Sequence, residues 1–205
     1  MFMYRDPVNH TLTINYTSAD NQFVAPATYT DSVEEFDTYS HASPVITYFT
    51  SDIATVTGEM GEENVSTTVT YTRSTPTLTV NYVDASDNTV LHAAASSTKP
   101  AGLEYTINAE SIEHFTPTAA SITNTMPDHN DSKTFTYNRI THTLTINYVN
   151  GNGAVLETAY TATVGEALTY NVESPIIEGY STIDPVVSGT MGNADITIDV
   201  VYTEI

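Results

Sequence analysis

The sequence predicts a mainly β protein, α+β at most, built as a tandem array of three small modules. Three observations carry that prediction. The heptapeptide His10-Thr-Leu-Thr-Ile-Asn-Tyr16 returns as Pro76-Thr-Leu-Thr-Val-Asn-Tyr82 and as His142-Thr-Leu-Thr-Ile-Asn-Tyr148, at two equal intervals of 66 residues, the mark of a repeat architecture. Inside each copy Leu12, Ile14 and Tyr16 fall on one face and Thr13 and Asn15 on the other, as a sheet with one wet face requires. Thr and Tyr are abundant, and a branched Cβ or a ring packs well on a pleated, half-buried surface.

The register extends through the rest of each copy. Tyr39 maps to Tyr105, Phe49 to Phe115 and Tyr71 to Tyr137 at the same offset. One deletion between Tyr148 and Tyr170 then aligns Tyr105 with Tyr170, Phe115 with Tyr180, Met126 with Met191 and Tyr137 with Tyr202, and Met60 completes the methionine series. Residues held at one phase in three copies are expected to form the cores. The modules are residues 10–75, 76–141 and 142–205, each of 64 to 66 residues, close to the smallest size that folds alone. Residues 1–9 precede them as a remnant of an earlier module or an artificial start, because Tyr4-Arg5 echoes Tyr71-Thr-Arg73 and Tyr137-Asn-Arg139.

Each heptapeptide is an opening strand, and Val69–Tyr71, Phe135–Tyr137 and Val200–Tyr202 are closing strands. Asp84-Ala-Ser-Asp-Asn88 and Asn150-Gly-Asn-Gly153 are read as hairpin turns after the opening strands of the second and third modules. Asp31-Ser-Val-Glu-Glu-Phe36 could form a single helical turn capped by Asp31, although its counterparts contain Pro100, Gly102 and Gly165. Only six residues separate Tyr71 from Leu78, and Tyr137 from Leu144. Joints that short are expected to be stiff and to string the modules into an elongated, monomeric rod.

The formal charge is −20 with five Lys and Arg in total, which excludes nucleic acid as a partner because phosphate binding needs clustered cations. Acidic glycans are repelled at neutral pH, so their retention is expected to rise at mildly acid pH. No stretch is long and apolar enough to insert in a membrane. Cysteine is absent, so no disulfide framework is needed, and the composition fits an extracellular β protein.

No enzyme chemistry is legible. No Asp, Glu, His, Lys or Arg occupies the same position in all three modules, the nearest case being Glu62, Asp128 and Asn193. Nucleophile elbows, phosphate loops and His-Glu-x-x-His are missing. Lys–Asn isopeptide bonds are excluded from the first and third modules, which hold no lysine. No cofactor is implied. Asp84 with Asp87, and Asp128 with Asp131, offer calcium-like oxygens close in sequence. Neither run has the full loop spacing of a calcium hand, and turn geometry is the first reading of both. If sugars bind, the contributors are aromatics outside the repeated set, namely Phe23, Tyr29, Tyr48 and Tyr160.

The run Leu144-Thr-Ile-Asn-Tyr-Val-Asn-Gly-Asn-Gly-Ala-Val-Leu156, with Val164-Gly-Glu, Tyr170, Glu178-Gly-Tyr180, Gly189-Thr-Met and Val200-Val-Tyr202, resembles the MucBP (mucin-binding protein) module of lactic-acid-bacterial adhesins. The second copy matches through Leu78–Asp84 and Tyr105 but has His114-Phe115 in place of Gly-Tyr, and the first has Tyr48-Phe49 there. The resemblance implies β-grasp, ubiquitin-like modules on a Gram-positive cell-wall-anchored protein that binds host mucin glycans by weak, multivalent contacts. Immunoglobulin binding and a passive stalk are the alternatives.

Overall fold

The chain is described by a computed structural model covering Asp6 and residues 8–205. The Tyr4-Arg5 echo lies outside those residues. Among them there are strands and no helix, so the fold is all-β. The first repeat holds β1 (Asn9–Thr17), β2 (Tyr29–Glu34), β3 (Thr38–Ala42), β4 (Phe49–Ser51), β5 (Thr55–Glu59) and β6 (Val65–Arg73). The second holds β7 (Thr77–Asp84), β8 (Val90–Thr98), β9 (Glu104–Asn108), β10 (Phe115–Pro117), β11 (Ser121–Thr125) and β12 (Asp131–Arg139). The third holds β13 (Thr141–Asn150), β14 (Val155–Gly165), β15 (Thr169–Glu173), β16 (Tyr180–Thr182), β17 (Val186–Thr190) and β18 (Ile196–Glu204).

By compactness the chain divides into two units. One takes the chain to Thr79 with Ser96–Thr106 and Thr123–Ser132, and the other takes Val80–Ala95, Ile107–Ile122 and Lys133–Ile205. The first unit contains the four-stranded sheet β2-β1-β6-β4 and the ribbon β3-β5. β1 runs antiparallel to β2, with Leu12 opposite Asp31, and parallel to β6, with Tyr16 opposite Val69. The second unit contains the sheet β14-β13-β18-β16 and the ribbon β15-β17. Its register is the same, with Leu144 opposite Ala162 and Tyr148 opposite Val200. The middle repeat has the order β10-β12-β7-β8, with ribbon β9-β11.

The alternation of the opening strands sets the cores. Leu12, Ile14 and Tyr16 are buried while the intervening Thr13 and Asn15 are not, and the same holds along β7 and β13. Met60, Met126 and Met191 are all fully enclosed, where an unbranched thioether fills irregular space. The closing-strand tyrosines are equally buried, and each pins a loop. Tyr71 Oη donates to Pro44 O at 2.6 Å, Tyr137 Oη to Glu110 O at 2.9 Å and Tyr202 Oη to Pro175 O at 2.6 Å. These carbonyls sit at one equivalent position, so each ring supplies core area and its hydroxyl satisfies a loop backbone group.

A second recurring bond fixes the start of each repeat. Thr11 N donates to Asn64 Oδ1, Thr77 N to Asn130 Oδ1 and Thr143 N to Asp195 Oδ1, at 2.8, 2.8 and 2.7 Å. What the position demands is an acceptor oxygen rather than a charge.

The helical turn expected at Asp31–Phe36 does not form. Tyr29–Glu34 is strand β2 instead, because pairing with the open edge of β1 supplies more backbone hydrogen bonds than one capped turn. Asp31 accepts from Ser32 N and from Tyr29 Oη rather than capping a helix. The chain then reverses through Phe36, at φ 68°, and equivalent residues Gly102 and Ala167 have φ 76° and 59°. Only glycine adopts that region without steric cost.

Two substitutions test these features. Tyr202→Phe keeps the ring and removes the loop anchor, and is expected to lower the denaturation free energy by about 1 kcal/mol; an unchanged urea midpoint would show that water replaces the hydroxyl freely. Phe36→Gly is expected to raise stability by about 0.5–1 kcal/mol, since Phe36 is two-thirds exposed (66%) and loses little packing.

Candidate functional site

A polar groove in the first repeat lies between β2 and β3. Both are edge strands, β2 of its sheet and β3 of its ribbon, and the groove between them holds about 420 Å³. Tyr29 enters it from β2 and His41 from β3, with rings stacked at 3.6 Å between centroids and 21° apart. Tyr29 Oη donates to Asp31 Oδ2 at 3.1 Å. Burial, followed by that carboxylate, pushes the phenol above its ordinary range, so it remains a neutral donor. Asp31, Glu34 and Asp37 line the groove with Tyr39. A flat π surface rimmed by acceptors suits a neutral, hydroxyl-rich ligand, and its charge disfavours an anionic one.

The four aromatics singled out from sequence occupy different environments. Tyr29 belongs to the groove. Phe23 packs on Phe49 at 5.2 Å and Tyr71 at 5.3 Å, which makes it part of the core margin. Tyr48, at φ 69°, has its ring over the space a side chain at Gly102 would need, at the joint between the first and second repeats. Tyr160 stands on β14 opposite Ile146 and is 39% exposed. It is the equivalent of Tyr29, but Val172 stands where His41 would be.

The four aspartates lie at strand ends and in the adjoining turns, Asp84 closing β7 and Asp131 opening β12. Asp84 accepts from Ser86 N at 2.8 Å and Ser86 Oγ at 2.7 Å, and Asp87 accepts from Thr89 N at 2.8 Å. Asp131 accepts from Ser132 N, and Asp128 lies in the bend before it. The Ser86 donors hold the Asp84 carboxyl below the usual carboxylate range, helped by Arg139. Among the described residues no three His, Cys, Asp or Glu side chains come together as a metal-ligand group.

Sequence reasoning missed a second set of polar residues, placed at the joints. At the first repeat His10 Nε2 meets Glu35 Oε1 at 3.1 Å. At the start of the third, Glu166 takes His142 Nε2 at 2.8 Å and His114 Nδ1 at 3.1 Å. His10 and His142 share one phase of the repeat, as do Glu35 and Glu166, and that correlated recurrence was the available signal. In the second copy Pro76 and Ala101 replace both. The joint there rests on Arg73, which donates to Asp20 at 2.6 Å and to Ala101 O at 2.7 Å and lies 4.5 Å over Phe49.

Strands and ribbons recurring in three copies, with two equivalent joints between them, define a tandem-repeat β protein. The MucBP domain family matches residues 77–141 and 143–203, well over half of the sequence. The chain belongs to the MucBP domain family. It is also similar to Internalin J of Listeria monocytogenes, being 26% identical over 209 residues to that of one strain and 23% over 206 to that of another. These alignments cover 94% of the chain but 22% and 24% of the relatives, so the chain spans under a quarter of their length. Among solved structures, the Bacillus anthracis TIE protein shares the fold with a TM-score of 0.63 at 11% identity, over 96% of this chain and 51% of that one. The type 2 repeat of the mucus binding protein MUB from Lactobacillus reuteri matches 63% of the chain over its own full length, at 16% identity and TM-score 0.30.

The turn around Asp84 yields a test. Ser86→Ala is expected to bring the Asp84 carboxyl up toward its ordinary range in an NMR pH titration. An unmoved midpoint would assign the depression to the backbone amide of residue 86 and to Arg139 instead.

Proposed function

We propose that this chain is a repeat segment of a bacterial cell-surface adhesin that holds host mucin glycans, extracellular and attached to the cell wall through other parts of a longer protein. The observation that carries the reading is the tandem match to the MucBP domain family. The groove of the first repeat supplies the chemistry: a sugar ring lies against Tyr29 and His41, and its hydroxyls donate to the carboxylates at the rim. Such a contact is weak by itself, and Tyr160 in the third repeat offers a second aromatic to a ligand that also repeats, so that avidity exceeds single-site affinity. The task is binding rather than catalysis. The finer fold assignment, a β-grasp, is supported by the sheet order with its single parallel pair at the centre, with a ribbon where ubiquitin-like domains carry a helix.

A second reading is favoured by one observation. β2 and β14 are sheet edges, and an extended segment of another protein, an immunoglobulin strand for example, can add to such an edge through backbone pairing.

Retention on immobilised mucin, before and after glycosidase treatment, separates the readings. Glycan-dependent retention that weakens about tenfold in Tyr29→Ala is expected, the loss of roughly 1.4 kcal/mol of ring stacking. Retention indifferent to deglycosylation would transfer the case to strand addition. No retention at all would make the repeats a stalk.

A further inference from the structure

We propose that the joint between the second and third repeats is a proton-sensitive latch that mild acid tightens, and that the joint between the first and second repeats is built on the same backbone without it. The latch centres on Glu166, in the turn between β14 and β15 and only 8% exposed. One carboxylate oxygen takes the Nε2 of His142 on β13, at 2.8 Å. The other takes the Nδ1 of His114, at 3.1 Å, from the loop that leads into β10 of the preceding repeat. The clasp therefore ties two repeats through one carboxylate.

Each imidazole also faces a second acid. His114 Nε2 is 3.6 Å from Glu113 Oε1, and His142 Nδ1 is 3.9 Å from Asp195 Oδ1. Beside them stand Arg139, which donates to Glu166 O at 2.9 Å and lies 4.5 Å over the Phe115 ring, and the Asp84 carboxylate, which Arg139 helps to keep ionised. A neutral imidazole can donate to Glu166 only by turning its other nitrogen, a bare acceptor, toward Glu113 or Asp195. Protonation makes both nitrogens donors. Three carboxylates and two neutral imidazoles carry −3; two added protons bring them to −1. Protonating the two imidazoles thus relieves repulsion and converts neutral hydrogen bonds into charge-assisted ones.

The far limit has the opposite sign. Its hydrogen bonds from His142 and His114 hold the Glu166 carboxyl below the usual range. Its contribution is complete above the unfolded carboxylate range and is lost as pH falls through the lowered folded value. The latch is therefore tightest where both imidazoles are protonated and Glu166 is still ionised.

The other joint is the internal control. Backbone bonds recur at equivalent places: Ser74 N to Tyr48 O and Ala101 N to Ser74 O there, Ile140 N to His114 O and Glu166 N to Ile140 O here. The arginine bond recurs too, from Arg73 to Ala101 O. Tyr48, Pro76 and Ala101 occupy the places of His114, His142 and Glu166, so the same scaffold lacks the titrating side chains.

Amide hydrogen exchange on the whole chain reads both joints at once. After correction for intrinsic exchange, protection of the Ile140 and Glu166 amides is expected to rise about fivefold from pH 7.5 to pH 5.5, with Ser74 and Ala101 unchanged. Glu166→Gln should abolish the rise. His114→Gly should reduce it without backbone strain, since His114 sits at φ 65° and its third-repeat counterpart is Gly179 at φ 79°. Equal protection at both pH values, a matching rise at Ser74 and Ala101, or a rise that survives Glu166→Gln would each overturn the latch.

Discussion

Everything in a repeat hangs on the parallel pairing of its opening and closing strands. In the first repeat Leu12 to Thr17 lie in register with Val65 to Thr70, and in the third Leu144 to Asn150 with Ile196 to Tyr202. Parallel neighbours cannot be joined by a tight turn, so the intervening chain must cross from one edge of the sheet to the other before the closing strand can enter. That crossing contains the ribbon, the short edge strand and the loop anchored by the closing-strand tyrosine. A repeat this small has little apolar area, and the tyrosine serves twice, with its ring in the core and its hydroxyl on a loop carbonyl. Losing the register would shift both at once, because one residue of slip exchanges the faces of a strand.

The parts legible in sequence are those governed by period and phase. Leu12, Ile14 and Tyr16 announce a half-buried strand by alternation alone, and the methionines and closing tyrosines announce burial by recurring in all three copies. Asp31–Phe36 misled because its acidic residues and cap are local signals, whereas its conformation is decided by β1 alongside it. The tyrosine anchors were invisible for a related reason: their partner is a backbone carbonyl, which no side chain marks.

The candidate sites were partly hidden by the same logic. Tyr29 could be named as an aromatic outside the repeated set, but its partner His41 comes from another strand and has no counterpart in Ile107 or Val172. The acceptor shared by Asn64, Asn130 and Asp195 escaped a search for common charge, since amide and carboxylate oxygens serve the Thr11, Thr77 and Thr143 amides alike. The joint residues escaped for the converse reason. Pro76 breaks the recurrence of His10 and His142, and the pattern emerges only when Glu35, Ala101 and Glu166 are read beside them.

That covariation shows how such an array can vary without refolding. At each of the two internal joints an arginine side chain caps a main-chain carbonyl, and a backbone relay and a residue at positive φ do the rest through main-chain groups. Positive φ is met by Tyr48, His114 and Gly179 alike, so the side chain there is free to change. Where Tyr48, Pro76 and Ala101 stand the imidazole–carboxylate clasp is absent and the Arg73–Asp20 pair remains, and where imidazoles surround a buried carboxylate the joint responds to mild acid. The backbone sets where two repeats meet, and a few side chains set under what conditions they hold, which is how one module can be repeated along a chain and still give each joint its own behaviour.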